Sequence, residues 1–195
     1  MVRQRLRELW WSPKVAPLHT VPTRVARVLR ARWYLRVSDA IGPRTQIIGG
    51  PAIVRNDGKL RVGRRVRLDC SYAPVELRAG RRAEIELGDG VFVNFGTSIV
   101  AERRITVGSN VRFGPYCVVA DREYPDADPD PIVIEDDVWL AARVVVRPGA
   151  HIGRGAVVTA GSIVDGVVPP AVIIGGAPTR LIRRLDSPEP SAQSS

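Results

Sequence analysis

The feature that most constrains this chain of 195 residues is a beat of six. From Ile134 onward an aliphatic residue recurs at Leu140, Val146, Ile152, Val158 and Val164. A second series, four residues later in each unit, reads Val138, Val144, Ala150, Ala156 and Ser162, small or aliphatic every time. Neither an α-helix nor a half-buried strand has that period. Upstream the beat continues in pieces, as Val62 and Leu68, then Leu87, Val93 and Ile99, then Val107, Phe113 and Val119. It slips by two after Ile99 and stretches between Val119 and Ile134, so insertions are predicted there. A six-residue period is a β-helix solenoid signature, in which each repeat is a short strand plus a turn that cannot bury its apolar face alone. With three hexapeptides per triangular coil, each aliphatic would stack on its equivalent one coil away. Burying one such Val, Leu or Ile contributes about 1.5–3 kcal/mol, so a score of them supports a domain of this size.

Composition agrees with that reading. The chain is 45% hydrophobic but only 6% aromatic, a mixture suited to stacked strands. Its 18 Gly and 16 Pro are spread along the chain, which argues for many regular turns rather than a low-complexity segment. The net charge of +9 is not spread. Arg3, Arg5, Arg7, Lys14, Arg24, Arg27, Arg30, Arg32 and Arg36 face the single acid Glu8, which places roughly eight of the nine net charges before residue 37. Interleaved with them are Leu6, Leu9, Trp10, Trp11, Val25, Val28, Leu29, Trp33 and Leu35, with Pro13, Pro17 and Pro22 as breaks, a pattern that predicts two short amphipathic helices. Such an arm fits two roles: capping the open end of the solenoid, or lying on an anionic membrane surface. A nucleic-acid role is not expected, because no DNA- or RNA-binding motif accompanies the charge. Cys70 and Cys117 lie far apart with no CxxC spacing, so reduced thiols are expected rather than a disulfide or zinc site. No apolar stretch before Ser12 and Pro13 reads as a secretory signal, so the expected location is cytoplasmic, peripheral to the inner face of the membrane if the arm binds lipid. The predicted organisation is a basic arm or cap over 1–44, a β-helix domain over 45–186 and a disordered tail over 187–195.

The run IGRGAVVTAGSIVDGVVPPAVIIGGAPTRLIRR, from Ile152 to Arg184, resembles the last coils and closing segment of hexapeptide-repeat acyltransferases, particularly the maltose and galactoside O-acetyltransferase branch and related polysaccharide O-acetyltransferases. PIVIEDDVWLAARVVVRPGAHIG is similar to the penultimate coils, and LGDGVFVNFGTSIVAERRITVGSNVRFGPYCVVAD to the active-site coils. The resemblance covers about Arg61 to Arg184. It implies an all-β, left-handed parallel β-helix with a short basic helical arm and a closing segment, an exception to the right-handed crossover rule. It further implies a homotrimer with active sites between adjacent subunits. The implied activity is acyl transfer, in the first place acetyl transfer, from acyl-coenzyme A to a hydroxyl or amine of a sugar or other small polar acceptor. Acetyl-CoA or another acyl-CoA would be a co-substrate, with no permanently bound cofactor.

That chemistry needs a base for the acceptor proton, donors for the thioester oxyanion and a cleft that positions both substrates. In the resembling enzymes a histidine on the loop interrupting the helix is the base. Here that loop reads VVADREYPDADPDPIVI, Val118 to Ile134, and holds no histidine. The chain has only His19, in the arm, and His151, expected at a solvent-facing position before the inward Ile152. Two readings therefore stand. Glu102, Asp121 or Glu123 replaces the base, its pKa raised by burial, with Tyr124 orienting the acceptor; or the loop is an acidic, Pro-rich surface segment, and the chain is a non-catalytic trimeric scaffold or binding module.

Other family positions are matched one by one. Asn94 stands where the family places an acceptor-binding asparagine, though Asn also suits a turn. Glu102 stands where relatives carry an acid that orients the acceptor or base. Trp139 matches the tryptophan beside the acyl-donor cleft, and would otherwise be an outward packing residue. Ala141, Ala160, Gly161 and Ser162 match small residues along the pantetheine arm, although smallness also suits tight turns. Arg180 and Arg183 stand where basic residues meet the coenzyme A phosphates, for which guanidinium forks are suited, or they form a solvated closing segment. No metal is expected, because the zinc-binding relatives use three histidines and this chain has two.

Overall fold

In the computed structural model, which describes residues 23–185, the hexapeptide beat becomes three parallel sheets wound into a left-handed β-helix. The first face carries Ala40–Ile41, Lys59–Val62, Glu84–Leu87, Arg104–Val107, Ile132–Ile134, His151–Ile152 and Val167–Val168. The second carries Gln46–Gly49, Arg67–Cys70, Phe92–Val93, Arg112–Phe113, Trp139–Leu140, Val157–Val158 and Val172–Gly175, closed by the antiparallel strand Arg180–Arg184. The third carries Ile53–Asn56, Glu76–Ala79, Ser98–Ala101, Val118–Ala120, Val145–Val146 and Ile163–Val164. That makes six complete coils and part of a seventh.

The inward positions stack as the periodicity requires. On the second face Ile47, Leu68, Val93, Phe113, Leu140, Val158 and Ile174 form one column. Leu77, Ile99, Val119, Val146 and Val164 form another on the third, and Val62, Leu87, Val107, Ile134, Ile152 and Val168 a third on the first. All of these are buried, and the second series, Val138, Val144, Ala150, Ala156 and Ser162, fills the corners between columns.

The two irregularities differ in kind. The slip after Ile99 is no loop: it lengthens the strands Ser98–Ala101 and Arg104–Val107 by one alternation, and places Ala101 and Ile105 inside as an extra buried layer. The stretch after Val119 is a true excursion, residues 121–131, between Val118–Ala120 and Ile132–Ile134. Asp121 anchors it. Its buried carboxylate accepts the backbone N–H groups of Glu102, Arg103 and Arg104 at 2.7, 2.8 and 2.7 Å, and the Asp130 N–H donates to the Asp121 carbonyl at 2.7 Å to close the base of the loop.

At the N-terminal end the helix Thr23–Tyr34 packs on the strand Gln46–Gly49. Ala31 and Leu35 are buried there, so this part of the basic arm caps the first coil. The first coil begins at Ala40, ahead of the expected boundary at 45, because Ala40–Ile41 already pairs with Arg61 and Val62. The first predicted helix of the arm, with Leu6, Leu9, Trp10, Trp11 and His19, and the tail 187–195 lie outside the described residues.

Two substitutions test this architecture by equilibrium urea unfolding. Phe113→Ala opens the second-face column between Val93 and Leu140 and is expected to cost about 3–5 kcal/mol. Asp121→Ala strands three turn N–H donors, each worth about 1–3 kcal/mol, and is expected to destabilise the protein by at least that amount.

Candidate active site

A triangular coil has three corners, and the register between coils turns each corner into an edge running the length of the prism. Two edges collect the candidate residues. The corner from the second to the third face holds Asn94 in one coil, Gly114 to Tyr116 in the next, Ala141 to Arg143 after that, then Thr159 to Ser162. The corner from the third face back to the first holds Glu102, Asp121 and the loop 121–131. The third face lies between these two edges. Its four-residue strand Ser98–Ala101 alone spans about 10 Å at ~3.3 Å per residue. One chain therefore brings Asn94, Ala141, Ala160, Gly161 and Ser162 together, and Glu102, Glu123 and Tyr124 together, but it does not join the two groups.

Backbone donors define the first edge. Asn94 turns its Oδ1 back to accept the N–H of Phe95 at 2.9 Å. Pro115, one coil on, has no N–H to give. Among the described residues no acceptor takes the N–H of Ala142 or of Ala160, so two unpartnered donors stand at this corner on successive coils, about 4.8 Å apart. Ala141, by contrast, is committed: its N–H donates to Val158 at 2.9 Å, and its carbonyl accepts the thiol of Cys117 at 3.1 Å. Burial pushes that thiol up to about 11, which keeps it protonated and inert. Gly161 has φ of +70° and open space where a Cβ would stand, so an L side chain is disfavoured by conformation alone. Ser162 does not line the edge. It is buried, donating to the Thr159 carbonyl at 2.7 Å and accepting the Gly176 N–H at 3.1 Å, and so fixes the turn that presents Ala160.

At the other edge Glu102, Glu123, Tyr124, Arg78, Val100 and Arg122 line a cleft of about 260 Å³. The three carboxylates expected to compete as base are in different situations. Asp121 is enclosed and holds three backbone donors, a structural assignment that leaves it no approach to an acceptor. Glu123 is ion-paired with Arg147 at 2.6 Å, and Arg147 also reaches Asp165 at 3.0 Å. The Glu123 carboxylate holds that guanidinium above its ordinary value. Glu102 has neither hydrogen bond nor ion pair on its carboxylate among the described residues. It lies against Gly80, where an added Cβ would stand 2.6 Å from Oε2. Tyr124 is exposed at the rim. Arg122 Nε is enclosed beside them with no partner.

Other expected residues are placed as follows. Trp139 points outward on the second face, half exposed, in register with Arg112 and Val157. Arg180 stands opposite Gly175 and Arg183 opposite Ile173, at the C-terminal end of that face next to the donor edge. His151 is an outward residue of the first face, bonded to Glu135 at 2.7 Å, which holds the Glu135 carboxyl below its usual range. Among the described residues no group of three metal-ligating side chains occurs. Sequence reasoning did not single out Arg78 and Arg122 of the carboxylate cleft, or Arg147, which pairs with Glu123 beside it. Carrying the register across the loop would have found two of them, because Arg78, Val100, Ala120 and Arg147 follow the inward column Leu77, Ile99, Val119 and Val146 by one residue.

Comparison with known proteins places this geometry. Residues 131–166 match the family model described as bacterial transferase hexapeptide (six repeats). The chain is 33% identical over 113 residues to the galactoside O-acetyltransferase of Escherichia coli K12, covering 53% of this chain and 56% of that protein, so it spans about half the length of such relatives. It is 30% identical over 159 residues to an Escherichia coli K12 protein provisionally named a lipopolysaccharide biosynthesis O-acetyl transferase, covering 72% of this chain and 80% of that one. Among solved structures, a hexapeptide-repeat acetyltransferase of Vibrio cholerae complexed with acetyl coenzyme A aligns over 82% of this chain and 78% of its own, with a TM-score of 0.56 and 25% identity. A galactoside acetyltransferase in complex with coenzyme A aligns over 86% and 74%, with a TM-score of 0.56 and 26% identity. By the extent of that likeness, and by the solenoid it shares with them, the chain belongs to the bacterial hexapeptide-repeat acyltransferase family.

Proposed function

We propose that the protein transfers an acetyl or other acyl group from coenzyme A to a hydroxyl or amine of a sugar-type acceptor, with Glu102 as the base. The observation that carries this reading is that an edge with two unpartnered N–H donors and a cleft with one uncommitted carboxylate flank the same face of the fold. In the reaction the acceptor O–H or N–H gives its proton to Glu102, and the freed lone pair attacks the thioester carbon. Developing negative charge on the carbonyl oxygen calls for donors of the Ala142 and Ala160 kind. Collapse expels the coenzyme A thiolate, which takes up a proton. Asn94 and Tyr124 would hold the acceptor, while Trp139, Arg180 and Arg183 would hold the donor.

Because the two edges lie on opposite sides of the third face, a site that uses both must be built from two copies. A closed threefold ring does this, setting the donor edge of each chain against the carboxylate cleft of the next. The third face supports that arrangement through an outward apolar row of Val118, Val145 and Ile163, of which Val118 and Ile163 are exposed and Val145 half-buried among the described residues.

Thiol release from acetyl-CoA over a panel of sugars and amino sugars tests the chemistry. Glu102→Gln is expected to lower turnover by about 10²–10⁴ while leaving coenzyme A affinity unchanged. Unchanged turnover would remove Glu102 as base. Wild-type protein that binds coenzyme A without releasing thiol would support the second reading, a non-catalytic scaffold, which is favoured by the pairing of Glu123 with Arg147 and the loop without histidine.

We further propose peripheral attachment to an anionic membrane at its cytoplasmic face. No described helix is long and apolar enough to cross a membrane. On Thr23–Tyr34, however, Val25, Leu29 and Trp33 form an exposed stripe at i, i+4 and i+8, flanked by arginines, while Ala31 and Leu35 hold the opposite side to the solenoid. Co-sedimentation with phosphatidylglycerol vesicles, but not with pure phosphatidylcholine vesicles, is expected, and L29E/W33E should abolish it. Retention of binding by that variant would contradict the assignment of this helix.

A further inference from the structure

The second face carries an outward row of which the acyl-transfer reading uses only the last member, Trp139. Its outward row, read in register from coil to coil, runs Gln46, Arg67, Phe92, Arg112, Trp139. Cation and aromatic thus alternate at the sheet spacing of about 4.8 Å. The Arg67 guanidinium sits over the Phe92 ring, 5.3 Å from its centroid. Along the neighbouring corner Arg44 and Arg65 add two more guanidiniums, and the whole forms an open trough of about 870 Å³. Asp137 is the one carboxylate in its lining, and Asn110 already donates to it at 3.1 Å.

Three observations indicate a binding surface rather than a solvated face. First, among the described residues none of Arg44, Arg65, Arg67 and Arg112 is in a salt bridge, so one trough gathers four guanidiniums that no carboxylate within salt-bridge distance neutralises. Second, Arg44 and Arg65 hold φ of 61° and 57° at a corner that takes the left-handed conformation in every coil, with Gly, Asn, Asp or Ala in the other coils. Arginine is disfavoured there on conformational grounds, and among the described residues neither side chain is in a hydrogen bond or salt bridge, Arg65 acting on Asp89 through its charge alone. Third, Phe92 and Trp139 stand two rungs apart, about 9.6 Å, a separation on the scale of a disaccharide, with Arg112 between them and Arg67 over Phe92 as cations that suit carboxylate or phosphate oxygens.

We propose that this trough is an extended subsite for an anionic glycan, with sugar rings packed on Phe92 and Trp139 and acidic groups held by Arg67 and Arg112. The inference rests on the acyltransferase reading for its biological sense, since it names the acceptor class as an acidic saccharide chain, but its test does not need turnover. The anionic group could be a uronic carboxylate or a sugar phosphate, and separate probes distinguish them.

Calorimetric titration of the full-length protein with oligogalacturonate, with a phosphorylated oligomannose and with neutral maltohexaose tests the proposal. One or both acidic probes should bind and maltohexaose should bind far more weakly, and which acid binds identifies the group. R67Q/R112Q should weaken that binding by about tenfold to a hundredfold, the equivalent of one or two charge-assisted hydrogen bonds. Coenzyme A affinity should stay unchanged in the variant, whose folding is checked separately by an unchanged urea unfolding midpoint, and R24Q/R27Q on the capping helix should bind the acidic probe like the wild type. Equal affinity for acidic and neutral probes, an R67Q/R112Q variant that binds the acid normally, or loss of coenzyme A binding in that variant would overturn it, the last by assigning the trough to the donor. A protein that binds the acidic glycan but releases no thiol would leave this inference standing and remove the acyltransferase reading.

Discussion

The packing of an inward aliphatic side chain on its counterpart one coil away, as Val93 on Phe113 and Phe113 on Leu140, is the contact on which the placement of every other group depends. It fixes the register between coils. Once the inward columns are locked, the alternation of a strand decides which residues face out, and the turn geometry decides which stand at a corner. A shift of one residue at any coil would turn its aliphatics into solvent and its charges into the core. Function on such a scaffold is therefore a matter of which edge or face a residue occupies, and residues far apart in sequence, such as Asn94 and Ala160, become neighbours along one line.

The same constraint explains why a single chain keeps the donor edge and the carboxylate cleft apart. A prism offers edges that diverge, not a concave pocket, and the clefts along this surface are open. In the proposed assembly enclosure comes from a second copy seated on the outward apolar row of the third face. The fold alone does not specify the reaction. The proposed reaction rests on the distribution of committed and uncommitted groups: Asp121, Ser162 and Ala141 are occupied in holding turns and strands together, while among the described residues Glu102 and the N–H groups of Ala142 and Ala160 are not.

Much of this was legible in the sequence. The six-residue beat gives the columns, the corner residues and the position of the loop after Val119 without further information. The slip after Ile99 reads as an insertion, yet it is a strand lengthened by one alternation, because two residues are one strand period and keep both faces correct. Less legible were side-chain partnerships that depend on three-dimensional proximity. Asp121 and Glu123 look alike in an acidic loop, but one is sealed under the backbone of residues 102–104 and the other pairs with Arg147, 24 residues away. The arginine and aromatic row of the second face was hidden for a related reason. Its members are separated by unequal intervals, 21, 25, 20 and 27 residues, so no fixed period reveals it until the register is known.

The central claim is that a donor edge on one chain works with a carboxylate cleft on another, and subunit complementation tests it most directly. Ala160→Trp would block the donor edge and Glu102→Gln would disable the cleft, leaving each variant alone inactive. Mixed and reassembled, the two should recover about a quarter of the wild-type thiol release, the fraction of interfaces that join an intact edge to an intact cleft. A mixture as inactive as its components, despite exchange of subunits, would contradict the account and place the whole site within one chain.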